Sequence, residues 1–321
     1  MKRYKSFLAQ HLEEFFHYRR ELGYINKSLG SQLKAFDTYV LEHAVGFGDL
    51  TPAFFLKFRE KISGSPANVN NLIGTMRNFF AYLLRYGHVD HNPVQDLPAK
   101  TENAFIPFVF SPQQTEDLLQ AVLCQVRRTE KHFLIDLGVY TALVLMAGCG
   151  LRISEPLRLE LTQYDPGQGT VFIHKTKFHK DRLIPLPRKV RDHLDNYLSL
   201  RNAMRPESPY LFPGFKNALR HQQVYPVFNK AVQEIGIKAQ RKVIGNMVFG
   251  SPTPHSLRHS FAVNTLKAAK ERGQDPQAVL PVLSVYMGHS KYRYTALYLK
   301  VLDARKRQGL VDFAVSHLED V

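Results

Sequence analysis

The sequence predicts a mainly α-helical protein of two domains, and three observations carry that prediction. Residues 1–96 show only helix-period spacing of apolar side chains. The stretch 97–111, LPAKTENAFIPFVFS, holds two prolines and no helical period, as an interdomain linker would. From 112 to 321 helical patterns return, with one hairpin signal among them.

The elements follow in order. Phe7, Leu8, Leu12, Phe15, Phe16 and Tyr18 recur near helical spacing, as do Leu29, Leu33, Phe36, Tyr39 and Val40. Thr51-Pro52 predicts the start of a third helix, with threonine as N-cap and proline at the first helical position. A fourth runs from Pro66 through Arg85 and stops at Gly87, and Asn92-Pro93 and Pro98 then break the pattern. Four short helices closed by turns indicate a small bundle. In the second domain, Ser111-Pro112 with Gln114 three residues after the serine reads as a capping box. An apolar helix spans Phe133–Ala147, followed by GCGLRISEPLRL, where a glycine-punctuated turn enters a helix. Thr170–His174 and Arg182–Leu186 then form a hairpin around a basic turn. At the C-terminus, Leu310, Val311, Phe313, Ala314, Val315 and Leu318 suit an amphipathic tail helix behind a basic linker.

Composition narrows the classes. The 321 residues are 44% hydrophobic and 22% charged, the balance of a globular protein. No apolar run approaches the roughly 20 residues that span a bilayer. The basic start lacks an apolar core with a cleavage site, which predicts no signal peptide and cytoplasmic residence. Two cysteines, Cys124 and Cys149, exclude a disulfide framework and a four-thiolate zinc site, and both are expected to be buried. Net charge is +15. Residues 1–103 hold 13 lysines and arginines against 10 acids, and the remainder holds 30 against 18. That excess favours a polyanion, and nucleic acid is the commonest.

Four clusters could carry chemistry, and each has a plainer reading. Arg152 and Glu155, three apart, could be a helix-surface ion pair. Lys175, Lys177 and Lys180 surround the hairpin turn, as a solvated basic turn also would. His255, Arg258 and His259 crowd the start of a helix, where free N–H groups favour an anion. The two histidines have the i, i+4 spacing of a zinc pair, but Ser256 stands where a metalloprotease helix needs glutamate, so no metal is expected. After Gly288-His289 come Tyr292, Tyr294 and Tyr298, whose spacing also suits packing.

Taken in order, Arg-x-x-Glu, a hairpin lysine, His-x-x-Arg, Gly-His and a tyrosine nine residues beyond that histidine resemble the tyrosine recombinase (phage integrase) family. The resemblance covers nearly the whole chain. It implies a helical, SAM-like core-binding domain at 1–96, a linker at 97–111, and a mostly helical catalytic domain with a small sheet and a tail helix at 112–321. The two domains of such enzymes clamp double-stranded DNA from opposite faces. Arg152 and Arg258 would grip the scissile phosphate, and Lys177 would protonate the leaving 5′ oxygen. Lys177 is chosen over its neighbours by counting back from Arg182-Leu-Ile-Pro-Leu. His255 would serve proton transfer near the Tyr298 hydroxyl, His289 would hydrogen-bond the phosphate, and Glu155 would orient its neighbours. Tyr298 would be the nucleophile, since Tyr292 and Tyr294 lie at the wrong distance from His289. No cofactor, metal or ATP is implied.

The resemblance further implies a homotetramer acting on two DNA sites through a Holliday junction, with accessory proteins a further expectation. A lone C-terminal helix could simply pack on its own domain, whereas in such enzymes the C-terminal segment docks on a neighbouring subunit. The turn Thr176-Lys177-Phe178-His179 departs from the glycine-rich turn of chromosome-dimer-resolving (Xer-type) members. The segments 240–251 and 267–277 look longer than in those relatives, and no arm-binding domain precedes residue 1. These departures tilt the reading toward a mobile-element enzyme. The rivals are a type IB topoisomerase, with similar residues but no pairing of sites, and a DNA-binding architectural protein with an inactive site.

Overall fold

A computed structural model describes residues 3–24, 28–174, 181–245, 247–289, 291–299 and 301. The hairpin turn with Lys175, Lys177 and Lys180, and the expected tail helix, lie outside the described residues. The fold is mainly helical with small sheets, as the sequence predicts. It divides into two compact units, 1–103 and 104–321.

The first unit contains α1 (Ala9–Glu21), α2 (Leu29–His43), α3 (Pro52–Lys61) and α4 (Pro66–Arg85). Local chemistry sets two of the starts. The Thr51 and Ser65 hydroxyls accept from the Phe54 and Asn68 amides, and Pro52 and Pro66 occupy the first helical positions. The core is aromatic. Phe36 meets the rings of Phe55, Phe58, Phe79 and Phe80. Burying each such side chain contributes on the order of 1.5–3 kcal/mol. The Asn92-Pro93-Val94 turn is pinned to α4: Asn92 Nδ2 donates to the Arg77 carbonyl, and Arg77 Nε donates to the Val94 carbonyl.

The second unit is built around α6 (Phe133–Cys149), which packs against α5 (Pro112–Cys124), α7 (Arg188–Met204) and α9 (Pro254–Glu271). Its sequence is apolar on nearly every face, so only a fully enclosed position suits it. Asp136, buried in its first turn, is paired to Arg127 at 2.8 Å. The capping box predicted at α5 is present: Ser111 Oγ accepts from the Gln114 amide at 3.1 Å, and Gln114 Oε1 accepts from the Ser111 amide at 2.9 Å. Two helices complete the unit, α8 (His221–Glu234) and α10 (Pro276–Met287), and residues 293–299 are also helical. α9, α10 and Tyr298 share a separate small core of Ala262, Val263, Leu266, Leu280, Leu283 and Met287. Among the described residues, no helix is long and apolar enough to cross a membrane.

The described residues also form two three-stranded sheets. The predicted hairpin is β3 (Thr170–Ile173) against β4 (Arg182–Pro185), with Val171 opposite Ile184, and β2 (Tyr164–Asp165) extends it. β1 (Ala104–Ile106) runs parallel to β6 (Met247–Phe249), which also pairs with β5 (Lys242–Ile244). The stretch 97–111 thus contributes a strand.

Two expectations are corrected. Arg152 and Glu155 lie in a turn, not on a helix face: Pro156 starts a single 3-10 turn, Pro156–Arg158, and the chain then extends. Cys124 is exposed, because it ends α5 where the apolar stripe has run out, whereas Cys149 is buried in α6.

Candidate active site

The site forms where two helices end. α6 stops at Gly150 and α10 at Gly288, both in the left-handed conformation, with φ of +62° and +64°. The last carbonyls of a helix lack intrahelical partners and carry partial negative charge. Arginines collect there. Arg258, on the first turns of α9, donates from Nη1 to the Gly150 carbonyl at 2.6 Å and from Nη2 to the Met287 carbonyl at 2.7 Å. Arg152 donates from Nη2 to the Gly288 carbonyl at 2.8 Å. Arg182, the first residue of β4, donates from Nε to the Tyr286 carbonyl at 2.9 Å.

Glu155 ties two of these together. Its Oε1 accepts from Arg152 Nη1 at 2.9 Å and from Arg182 Nη1 at 3.1 Å. Its Oε2 accepts from the Arg152 amide and from Arg182 Nη2, each at 2.8 Å. Burial opposes the charge on Glu155, yet the hydrogen bonds and charges of Arg182 and Arg152 hold its carboxyl below the usual carboxylate range. Arg182 is a member of the site that sequence reasoning missed. It served only as a landmark for the hairpin, and its neighbourhood of strand-forming residues gave no hint of a buried ion pair.

Arg258 is 1% exposed. Loss of water, and secondarily the like charge of Arg152, pushes its pKa down to about 9. A guanidinium so stripped of solvent gains most from an anion that replaces the lost hydration. The Gly150 and Met287 carbonyls take two of its five N–H groups, which leaves further donors for such an anion.

Three histidines close the cluster. His255 and His259, one turn apart on α9, meet edge to face with ring centroids 4.6 Å apart. His289, just past Gly288, has Nδ1 2.7 Å from Thr295 Oγ1. Its ring lies 6.2 Å from that of Tyr298. Burial comes first in lowering all three, followed by Arg258 for His255 and His289 and by His255 for His259: His255 to about 4, and His259 and His289 to about 3. At neutral pH all three rings are uncharged.

The Tyr298 hydroxyl lies 3.1 Å from His259 Nδ1. Tyr298 is 3% exposed, and burial raises its pKa while Arg258 and Arg152 pull it back in part. Tyr292 and Tyr294 are about half exposed and outside this core. The structure therefore brings together Arg152, Glu155, His255, Arg258, His289 and Tyr298, and it adds Arg182 and His259. The ring against the tyrosine hydroxyl is that of His259, and the His255 ring packs on it. Among the described residues, no group of three or more His, Cys, Asp or Glu side chains is arranged to hold a metal ion.

Comparison with known proteins places this arrangement. The protein y4rE of Sinorhizobium fredii, which carries an integrase/recombinase name, is 29% identical, over 93% of this chain and 93% of its own length. A tyrosine recombinase of Pseudothermotoga lettingae is 27% identical, over 90% and 92%. Three solved structures share the fold. XerH recombinase on a palindromic difH substrate after cleavage superposes with a TM-score of 0.67 at 17% identity, covering 93% of this chain and 83% of that one. A lambda integrase tetramer on a Holliday junction gives 0.63 at 17%, covering 88% and 77%. The Tn1549 transposon integrase on a circular-intermediate DNA gives 0.59 at 18%, covering 93% and 98%. The pattern of the Phage integrase family matches residues 109–305, which include every arginine, histidine and tyrosine of the cluster. The chain belongs to the phage integrase family of tyrosine recombinases, DNA-binding enzymes that cut and rejoin strands without a metal ion or ATP.

Proposed function

We propose that this recombinase serves a mobile element and joins two DNA sites through a 3′-phosphotyrosine intermediate and a Holliday junction. The observation that carries the reading is the convergence of Arg152, Arg258, His289 and the Tyr298 hydroxyl at the paired ends of α6 and α10. Tyr298 Oη attacks the scissile phosphorus, the bond to the 5′ oxygen breaks, and the phosphate stays on the enzyme as a diester. Arg152 and Arg258 stabilise the charge that builds on the non-bridging oxygens, a role guanidinium forks fill well because they remain charged and bind bidentately. His289 donates a hydrogen bond to the same phosphate. Lys177 supplies the proton to the departing 5′ oxygen. His255 stands beside His259 in the path of the proton that Tyr298 releases, and Glu155 holds Arg152 in place. Rejoining runs the same steps in reverse with a 5′ hydroxyl of the partner strand, so the bond energy is conserved.

The working unit in this reading is a tetramer on two duplexes in the cytoplasm. The lambda tetramer on a Holliday junction supports the assembly, and the transposon integrase supports the mobile-element setting. The test is covalent trapping. A nicked suicide duplex incubated with the enzyme and run on a denaturing gel should give a protein–DNA band, which Tyr298→Phe abolishes while DNA affinity stays within a few fold. A band that survives in Tyr298→Phe and disappears in Tyr294→Phe would move the nucleophile.

A further inference from the structure

The Tyr298 hydroxyl must lose a proton as it attacks, and its surroundings restrict where that proton can go. Burial holds the phenol in its protonated form, so a ready supply of phenolate is not at hand. The guanidinium of Arg258 is already protonated and bonded to the Gly150 and Met287 carbonyls. His289 has Nδ1 engaged with Thr295 Oγ1. His255 meets His259 edge to face, and among the described contacts none joins it to the phenol. The ring nitrogen in hydrogen-bond reach of Tyr298 Oη is Nδ1 of His259, at 3.1 Å.

We infer that His259, outside the His-x-x-Arg motif, is a catalytic residue that takes the Tyr298 proton on cleavage and returns it on rejoining. The inference rests on Tyr298 being the nucleophile. As the Oη–phosphorus bond forms, the phenolic proton moves to His259 Nδ1. The bond to the 5′ oxygen breaks, and that oxygen receives its own proton from a separate acid, so neither charge nor proton is left unassigned. A neutral imidazole with hydrogen on Nε2 presents the Nδ1 lone pair this requires.

The groups facing His259 are His255 and Arg258 from its own helix, His289 from the turn after α10, and Tyr298 from residues 293–299. Burial, then the positive charge that His255, Arg258 and His289 would add, lowers its pKa to about 3 in the DNA-free protein. That depression keeps the ring in the acceptor form. A phosphodiester docked on Arg152 and Arg258 offsets their charge, which raises the basicity of the ring when substrate is present. Binding of substrate thus switches on the base.

The experiment uses full-length His259→Asn, whose Oδ1 falls near the position of Nδ1 and accepts a hydrogen bond without taking a proton. Single-turnover formation of the covalent complex on the suicide duplex is followed from pH 6 to 9. The expected loss at pH 7 is roughly 10²-fold or more. It should shrink as pH rises, because hydroxide replaces the missing base. A loss of any size that is constant across the range would mean a structural role only, and a rate within about threefold of the parent at pH 7 would mean no role; either overturns the inference. A duplex with sulfur in place of the bridging 5′ oxygen separates the two protons, since a thiolate leaves without an acid. The His259→Asn defect should persist on it, and its disappearance would assign His259 to the leaving group instead. Tyr298→Phe runs on the same gel. A band there would sink the nucleophile itself, whereas a blank lane beside an active His259→Asn would sink only the role of His259.

Discussion

Glu155 and Arg182 form a two-pronged ion pair at 2.8 and 3.1 Å, with only 7% and 8% of their side chains exposed. The pair joins the turn after α6 to the first residue of β4. Arg182 also holds the Tyr286 carbonyl, so one guanidinium fastens β4 to the turn after α6 and to the end of α10.

Removing one partner of that pair strands the other charge in a dry site. Arg182→Ala should destabilise the fold by about 3–5 kcal/mol. Its cleavage rate should fall further than lost folding accounts for, because Glu155 then pulls on Arg152 alone. Chemical denaturation together with single-turnover cleavage checks both. In a double-mutant cycle, Glu155→Gln with Arg182→Met should cost less than the two single changes added together. Additive costs would mean that the pair is not coupled.

The buried histidines make the catalytic unit acid-sensitive. His255 is pushed down to about 4 and His259 to about 3, burial leading in both, while an unfolded chain would titrate them near 6.5. Between those values the unfolded chain binds protons that the fold refuses. Stability is therefore complete above about pH 6.5 and declines as pH falls toward 4. Glu155, held low by its arginines, loses its contribution only at still lower pH. Melting temperatures measured from pH 7.5 to 4.5 should fall across this window. His259→Asn should flatten the steepest part by about 1.4 kcal/mol per pH unit. An unchanged slope would contradict a buried neutral His259.

What the sequence could and could not disclose follows from the range of the interactions. The starts of α3 and α5 were legible because Thr51 with Pro52, and Ser111 with Gln114, satisfy backbone groups within three residues. Tyr298 stood out only through the resemblance to the family's Gly-His-to-tyrosine spacing, and its place beside His259 and His289 is what the structure adds. Arg182 was hidden because its partners, Glu155 and the Tyr286 carbonyl, lie 27 and 104 residues away. The contact of His259 with Tyr298 depends on how residues 293–299 pack against α9, a tertiary matter that no local period encodes. Likewise β1 finds its partner in Met247–Phe249, far along the chain, and Pro98 and Pro107 on either side made it read as plain linker. Arg152 and Glu155 carried helical spacing, but Pro156 and the extended backbone at Leu159 cut the turn short.

Guanidinium groups provide the positive charge at this site. In the proposed scheme Arg152 and Arg258 neutralise the phosphate, so cleavage and rejoining should proceed at full rate in excess EDTA and without nucleotide. Loss of activity on chelation, with recovery on adding magnesium or zinc, would reject the arginine-based scheme.

The last prediction concerns Gly150, where backbone conformation and catalysis meet. Its φ of +62° is a region that a side chain enters only at a cost on the order of 1–2 kcal/mol. Space is short as well, since a Cβ there would stand 2.4 Å from Cδ1 of Phe261, a ring already stacked on Tyr286. The Gly150 carbonyl holds Arg258, so any backbone shift that relieves the clash moves the guanidinium proposed to grip the phosphate. Gly150→Ala should therefore lower stability by about 2–4 kcal/mol, combining the left-handed penalty with the strain of an overpacked core. It should also lower covalent-complex formation at least tenfold under conditions where the variant remains folded. Adding Phe261→Leu should relieve the crowding and recover part of the stability, while the conformational cost remains. Should Gly150→Ala cleave at the parental rate while folded, Arg258 would not depend on this carbonyl for its placement. The anchoring of the site would then have to rest on the α10 end, through the Tyr286, Met287 and Gly288 carbonyls.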